Sequence, residues 1–260
     1  MRQDERSAFV AALQRARESA YAPGDYVEQE SFMRADEIRA LGRRAGLAPR
    51  VSVLDLCCGV AGPGRLLARE FGCSYLGVDS SASAIGIARE RAGGLPCRFE
   101  VAEIPPVPPG TFDVVVLLET MLAFPDKETL VAEVSRALPA GGRFAFTLEE
   151  GAPLTTAERE SMPDADTVWL TPLDELRTLL AQARLVVRWQ EDWSSSHRAT
   201  ATALGDSFAA DATAIASVIG RRALDELVAA HRLWVEWLAA GRVRKFAIVA
   251  ERTDAASAPN

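Results

Sequence analysis

Glu119, Glu149 and His197 are the side chains in this sequence best placed to do acid–base chemistry. Glu119 follows the apolar run VVVLL and Glu149 ends the run FAFTL, so both are expected at the ends of strands. His197, in DWSSSHR, begins a long helical segment, and its reference pKa of about 6.5 suits a general base. Each residue also has a plainer interpretation, because acids after strands are often solvated and a lone histidine is often structural.

A turn of small residues follows the first predicted strand, in the run VLDLCCGVAG from Val53 to Gly62. A dinucleotide site needs G-x-G-x-x-G here, because the pyrophosphate approaches bare backbone at a helix N-terminus. No register of the line CCGVAGPG has that spacing, and G-K-[ST] is absent from it. A P-loop is therefore excluded and a nicotinamide site disfavoured. A ligand without phosphate is favoured, since it needs only one close backbone approach, which Gly59 can supply.

The elements that must position these residues alternate between strands and helices. The predicted helices are 3–19, 30–47, 63–71, a segment from Asp79-Ser80-Ser81 to about 92, 126–138 and 171–183. The predicted strands are 51–56, 74–78, 97–102, 112–118, 143–148, 185–190 and 243–251. This alternation predicts an α/β fold, a Rossmann-like doubly wound sheet of seven mostly parallel strands. Ligands of such sheets bind beyond the carboxyl ends of the strands.

Four segments organise the chain. An N-terminal helical cap is expected over residues 1–50, and a cofactor-binding core over residues 51–193 and 242–252. Residues 194–241, predicted to be helical throughout, are far more than a crossover needs and are interpreted as a substrate lid. Residues 253–260 are expected to be a flexible tail.

Composition narrows the possible partners and location. The chain has 29 Lys and Arg against 36 Asp and Glu, a net charge of −7, which disfavours nucleic acid. No apolar run reaches the ~20 residues of a membrane span, and the first residues lack a secretory signal pattern. A cytoplasmic protein without membrane contact is expected, as a monomer or homodimer. Four cysteines without a C-x-x-C pair, and only two histidines, predict no metal site.

The run from Val53 to Gly62 resembles the first motif of class I S-adenosylmethionine-dependent methyltransferases, usually D-x-G-x-G-x-G. Cys57 stands at the first glycine of that motif and Ala61 at the third, while Gly59 keeps the second. Asp79 ends the second predicted strand, and VAEI (101–104) ends the third. LPAGGRF (138–144) is similar to the family's turn into the fifth strand. The resemblance covers residues 51–148.

The resemblance implies S-adenosylmethionine as the cofactor. Asp79 would accept hydrogen bonds from the ribose, and an acid or amide near Glu103 would approach the adenine. A tyrosine or polar residue before the core would lie near the cofactor's carboxylate, although that stretch can also be a plain connecting turn. The implied cofactor-binding residues are Tyr21, Tyr26, Gln29, Asp55, Cys57, Gly59, Asp79, Ser80, Glu103, Ile104 and Glu119.

The family's reaction implies direct displacement of the methyl group by an O, N or C atom of a small molecule, here expected in bacterial specialised metabolism. His197, Glu119 and Glu149 are the candidate catalytic residues, while His231 is expected to be packing or solvent-facing. All five tryptophans fall in the last hundred residues, which favours an apolar or aromatic acceptor contacted by Trp169 or Trp193. Two alternatives stay open: a non-methylating reaction such as cyclisation or decarboxylation, and a non-catalytic partner subunit.

Overall fold

The computed structural model describes residues 11–254. The first part of the helix predicted at 3–19 and most of the predicted tail lie outside the described residues. Helix α1 covers Ala11–Ala20 and α2 covers Ala35–Ala45, so the second helix is shorter than the predicted 30–47. Residues 21–34 between them, called the strap below, are turns and bends.

Seven strands form one sheet in the order β3-β2-β1-β4-β5-β7-β6, which confirms the predicted architecture. Strands β1 to β5 pair in parallel, and β7 is antiparallel to both β5 and β6. The strands are β1 Ser52–Leu56, β2 Ser74–Asp79, β3 Cys97–Val101, β4 Val114–Leu117, β5 Arg143–Glu150, β6 Leu185–Asp192 and β7 Arg244–Arg252. Strand order reverses between β1 and β4, so a ligand crevice is expected beyond their carboxyl ends.

Helices cover both faces of the sheet because side chains alternate along each strand. Val53 packs on one face with residues of α2, α3 and α4, whereas Leu54 packs on the other with α5 and α7. The helices of the core are α3 Gly62–Phe71, α4 Ala82–Glu90, α5 Lys127–Ala137 and α7 Leu173–Gln182. Between β5 and α7 lies a short helix that the sequence did not predict, α6 Thr156–Ser161, which begins with a capping box at Thr155.

The predicted helical lid is three helices rather than one continuous segment. They are α8 Ser194–Ala210, α9 Ala212–Ile219 and α10 Arg221–Ala240. Gly220 separates α9 from α10. Its φ is +88°, a backbone conformation that only glycine adopts readily. Leu13 and Ala16 of α1 pack against Leu204 and Phe208 of α8, so the N-terminal cap and the lid share one apolar cluster. Within residues 11–254, no helix combines the length and apolar character needed to cross a membrane.

Candidate active site

In the turn after β1, three alternate residues have a left-handed backbone conformation. Cys57 has φ +59°, Gly59 +54° and Ala61 +57°. That conformation costs a residue with a Cβ about 1–2 kcal/mol, which explains why the family prefers glycine at these positions. Cys57 and Ala61 therefore keep the backbone shape of the glycine motif. A Cβ added at Gly59 would meet nothing within 4 Å, so this residue leaves open space above the turn.

Asp79 ties the β1 turn to the end of β2. Its Oδ2 accepts the backbone N–H of Gly59 at 2.8 Å, and its Oδ1 accepts that of Ser81, also at 2.8 Å. The N–H of Gly59 is thus already used by the protein. A carboxylate has about four lone-pair positions, so Asp79 can still accept hydrogen bonds from a ligand.

A cavity of about 240 Å³, called the turn cavity, opens beside this turn. Four of the implied cofactor residues line it: Gln29, Asp55, Cys57 and Glu119. Among the described residues of its lining, four are carboxylic acids and none is Lys or Arg. A phosphate would find no cation there, whereas a phosphate-free cation such as a sulfonium with an ammonium group fits the lining.

Two of these side chains have strongly shifted acidity. Burial raises the pKa of Asp55 to about 7, an effect that the hydrogen bond from the Tyr75 hydroxyl partly offsets. Burial also raises the pKa of the Cys57 thiol to about 12, with the charges of Asp79 and Asp55 adding to the effect. Cys57 is therefore a protonated thiol at neutral pH and a small lining residue rather than a nucleophile.

The strap residues that the resemblance implies as cofactor contacts form hydrogen bonds within the strap. Gln29 is buried, and its amide bonds the backbone of Asp25, Val27 and Met33 at 2.6–2.9 Å. The Tyr21 hydroxyl donates to the carbonyl of Ser31. Tyr21 and its ring neighbour Tyr26 line neither this cavity nor the chamber described below.

The remaining implied cofactor residues surround the carboxyl ends of β2 and β3. Ser80 and Glu103 are exposed, and Ile104 is half-buried against the core. The backbone N–H of Ala102 donates to the carbonyl of Asp79 at 3.0 Å, which holds these two ends side by side. None of the three lines the turn cavity, so they are placed near Asp79 but outside the enclosed space.

A second cavity of about 310 Å³, called the chamber, lies between the strap, the sheet and the lid helices. Most of its wall is apolar, including side chains of Phe32, Leu122, Met162, Phe208 and Trp234. It shares Gln29, Glu30, Ser31 and Glu119 with the turn cavity, so the two spaces adjoin. Glu119 is the one of these four that sequence analysis marked for both a cofactor and a catalytic role.

Four ionisable side chains form a buried group at the chamber, called the floor cluster: Glu119, Glu149, His197 and Lys245. His197 Nε2 lies 2.9 Å from Glu119 Oε2. The Lys245 ammonium pairs with Oε1 of Glu119 and Oε1 of Glu149. Glu149 and Lys245 are directly opposite in the antiparallel register of β5 and β7, while Glu119 follows β4 and His197 lies on α8. The structure thus brings the three predicted catalytic residues together.

Lys245 is the member of the floor cluster that sequence reasoning missed. It is one of only two lysines in the chain and lies within the otherwise apolar strand KFAIVA, a signal that could have identified it. Its side chain is 1% exposed. Burial lowers its pKa, but the charges of Glu119 and Glu149 raise it more, so Lys245 is a charged ammonium.

Two polar atoms of the floor cluster have neither a hydrogen bond nor an ion pair with any described residue. Burial raises the pKa of Glu119, but the nearby His197 and Lys245 hold that pKa well below its ordinary value, so Glu119 is a carboxylate. With Glu119 accepting from His197 Nε2, the other ring nitrogen, Nδ1, is buried and meets no partner among the described residues. Glu149 Oε2 is likewise buried, and no described group donates to it.

His231 packs against Phe32 and Phe208, which agrees with the packing role expected for it, whereas the two tryptophans expected at the acceptor lie outside the chamber lining. His231 lines the chamber, and its Nδ1 donates to the Leu227 carbonyl at 2.8 Å. Trp234 lines the chamber, but Trp169 and Trp193 do not, because Trp193 is buried against the sheet and Trp169 is 38% exposed. His231 and Trp234 lie three positions apart on one face of α10. This spacing also fits plain core packing.

Comparison with known proteins agrees with this geometry. Residues 53–142 match the methyltransferase domain family. Phosphoethanolamine N-methyltransferase 3 of Arabidopsis thaliana is 36% identical over 105 residues, 39% of this chain and 21% of the plant protein. The chain therefore matches about a fifth of that relative's length.

Solved structures resemble nearly the whole chain at low identity. A putative sarcosine dimethylglycine methyltransferase from Galdieria sulphuraria superposes with a TM-score of 0.75 at 19% identity, covering 85% of each chain. The [4+2]-cyclase SpnF also has a TM-score of 0.75 at 19% identity, covering 96% of this chain and 94% of its own. The chain is thus similar to methyltransferases over residues 53–142, a range that includes the motif turn, and it shares their fold over most of its length.

Proposed function

We propose that this protein transfers a methyl group from S-adenosylmethionine to a small, largely apolar acceptor held in the chamber. The observation that carries this proposal is that the turn cavity and the chamber adjoin at Glu119. A cofactor at the β1 turn and an acceptor in the chamber would thus meet beside the floor cluster. When bound, the cofactor supplies a methyl group already activated by the sulfonium.

The cofactor would be held by the residues of the β1 turn and its neighbours. The open space above Gly59 admits a close backbone approach, and the spare lone pairs of Asp79 suit a ribose diol. The lining of the turn cavity, with carboxylic acids such as Glu119 and no described Lys or Arg, suits the sulfonium and ammonium groups of the ligand better than a phosphate. Ser80, Glu103 and Ile104 remain predicted contacts at the adenine end.

The chamber would hold the acceptor and receive its proton. His197 Nδ1 is the unpartnered ring nitrogen, and Glu119 orients the ring from Nε2. An acceptor group that begins protonated can therefore pass its proton to Nδ1, a role worth roughly 10²–10⁴-fold in rate. The larger contribution comes from alignment inside the enclosed chamber, up to about 7–11 kcal/mol.

The proposal is tested first by calorimetry with S-adenosylmethionine and S-adenosylhomocysteine. We expect binding at micromolar strength or better, and no binding of either ligand would leave the chain as a non-catalytic partner subunit. A library of small amines, phenols and enols is then incubated with protein and cofactor, and S-adenosylhomocysteine is measured. Its formation, dependent on acceptor and on His197, is the expected result. Bacterial specialised metabolism remains our prediction for the setting of the reaction.

A non-methylating reaction is the second candidate. It is favoured by one observation, that a cyclase has the same fold over nearly the whole chain. In that case an acceptor would be converted while the cofactor stayed intact. Measuring product and S-adenosylhomocysteine in the same sample separates the two reactions, because only methyl transfer forms them in equal amounts.

A further inference from the structure

The charges that face the chamber do not balance. Among residues 11–254, two cations and three carboxylates line it: Arg17, Lys245, Glu30, Glu119 and Glu149. Arg17 pairs with Glu30 at 2.8 Å, so these two cancel. Lys245 alone faces the other two carboxylates. When both imidazoles are counted as neutral, the form in which His197 can act as a base, these residues carry one more negative than positive charge, and the excess carboxylate lies in the floor cluster.

The histidines decide whether that excess persists. Burial lowers the pKa of His231, and the hydrogen bond from its Nδ1 to the Leu227 carbonyl offsets only part of that effect, so this ring is neutral. Within the described residues, His197 contacts the rest of the floor cluster through Glu119 alone, at 2.9 Å. A cation that enters the chamber would balance the excess negative charge.

Glu149 provides the contact point for such a cation. It is 8% exposed, its Oε1 pairs with Lys245, and its Oε2 has no donor among the described residues. A buried carboxylate oxygen without a donor is unfavourable, because it has lost its water and gained no hydrogen bond in return. An N–H group of a bound molecule would remove that penalty.

The chamber walls suit a cation with an apolar body. The faces of Phe32, Phe208 and Trp234 contribute to the lining, and aromatic faces attract cations within about 6 Å. A carboxylate or phosphate in the acceptor would instead meet like charge. An alcohol could donate one hydrogen bond but would leave the unbalanced charge in place.

We propose, building on the methyl-transfer function above, that the acceptor is an amine with an apolar body, recognised by Glu149 Oε2. The amine would enter as its ammonium form and donate an N–H to this oxygen. Loss of one proton to His197 Nδ1 would free the lone pair that forms the new N–C bond as the bond between the methyl carbon and the sulfur breaks, which leaves S-adenosylhomocysteine. The substrate class is thereby narrowed from any O, N or C nucleophile to an apolar amine, with Glu149 as the residue that selects it.

The test uses three probes that share a phenethyl body: phenethylamine, phenethyl alcohol and hydrocinnamate. Their dissociation constants are measured on the full chain saturated with S-adenosylhomocysteine. We expect the amine to bind at least about tenfold more tightly than the alcohol, and hydrocinnamate most weakly. Equal binding of amine and alcohol to the wild-type protein overturns the proposal, whatever the variants do.

Glu149→Gln should reduce the amine-to-alcohol ratio to near one while affinity for the alcohol stays unchanged. Glu150→Gln is the matched control, because the neighbouring Glu150 pairs with Arg244 at 2.9 Å and does not line the chamber. A ratio that survives Glu149→Gln overturns the proposal. A second result would also overturn it. If Glu149→Gln weakens S-adenosylmethionine more than S-adenosylhomocysteine while the amine-to-alcohol ratio stays the same, then the charge of Glu149 stabilises the sulfonium and does not select an amine.

Failure of the methyl-transfer function is distinguishable in the same experiment. If S-adenosylhomocysteine does not bind, that function fails, while the ratio measured on the ligand-free chain still decides the amine proposal. If S-adenosylhomocysteine binds and the ratio is near one, only the amine proposal fails.

Discussion

Asp79 and Gly59 are joined by a hydrogen bond of 2.8 Å between the carboxylate and a backbone N–H. The bond couples the turn after β1 to the end of β2, the two places where the cofactor is proposed to bind. Asp79→Asn replaces one acceptor oxygen by an NH₂ group, which faces a backbone N–H. We expect the affinity for S-adenosylmethionine to fall at least about tenfold, measured by calorimetry.

Asp113→Asn is the control for that substitution. Asp113 makes a similar pair of bonds, to the N–H and hydroxyl of Ser52 at 2.7 and 2.8 Å, but at the opposite end of β1. It should disturb stability without lowering cofactor affinity. Equal affinity losses in both variants would contradict a role for Asp79 at the cofactor.

His197→Asn should slow methyl transfer to the identified acceptor by roughly 10²–10⁴-fold, because the proposed base is lost. Cofactor affinity should be unchanged, since His197 lines the chamber but not the turn cavity. The measurement is S-adenosylhomocysteine formed under saturating acceptor. Ser195→Ala, at an exposed position two residues earlier on α8, should retain the full rate. A His197→Asn variant of normal rate would show that the acceptor arrives deprotonated.

Lys245→Met should be the more damaging of two lysine substitutions. It leaves Glu119 and Glu149 buried without a cation, and breaking such a pair costs about 3–5 kcal/mol. Lys127→Met removes an equally buried lysine whose Nζ donates to the carbonyls of Phe124 and Trp169, both at 2.7 Å, so a smaller loss is expected. Free energies of unfolding from urea titrations check this order. If Lys127→Met lowered the free energy of unfolding more than Lys245→Met, the side chains of the floor cluster would already be uncharged in the folded protein.

Gly62→Ala and Gly86→Ala should have opposite effects. A Cβ at Gly62 would overlap the carbonyl of Val27 in the strap and lie 2.8 Å from the carbonyl carbon of Glu28. The strap must shift, so stability should fall by about 1–3 kcal/mol and cofactor affinity with it. Gly86 lies within α4 with nothing within 4 Å of a Cβ, so alanine there should stabilise by about 0.5–1 kcal/mol. Thermal unfolding with and without cofactor measures both, and a neutral Gly62→Ala would show that the strap is not docked on α3.

Asp55 should make the protein less stable as the pH rises. Its pKa is raised from 3.8 to about 7 in the folded state, so the unfolded chain releases this proton first. The stabilising contribution is complete below about pH 4 and is lost as the pH rises to about 7, with a slope of up to about 1.4 kcal/mol per unit. The side chain introduced by Asp55→Asn does not titrate. The free energy of unfolding of this variant, relative to that of the wild type, should therefore increase between pH 4.5 and pH 8. A difference that is independent of pH would contradict the raised pKa.

Local patterns accounted for the sheet and for the residues at its strand ends. The apolar runs and intervening helices predicted seven strands, and Glu119 and Glu149 were found because each follows or ends such a run. The lid was predicted only in outline. Its breaks at Asp211 and Gly220 depend on how α9 packs back on its neighbours, which no local periodicity specifies.

The chamber residues of the lid were harder to predict for the same reason. His231 and Trp234 lie on a helix whose apolar face is wide, and its sequence does not say which part of that face meets the core. Only the packing of α10 over the strap turns both side chains toward the chamber.

By itself, the sequence determined the class of fold and the lack of a phosphate-binding glycine pattern in the β1 turn, because these depend on neighbouring residues, whereas the left-handed backbone of Cys57 and Ala61 was found only in the structure. Only the tertiary structure decided that Lys245 faces Glu149, 96 residues away, and that Glu149 Oε2 is buried with no donor among the described residues. The antiparallel docking of β7 on β5 sets that pairing, and such docking depends on the packing of the whole sheet rather than on any local run of residues.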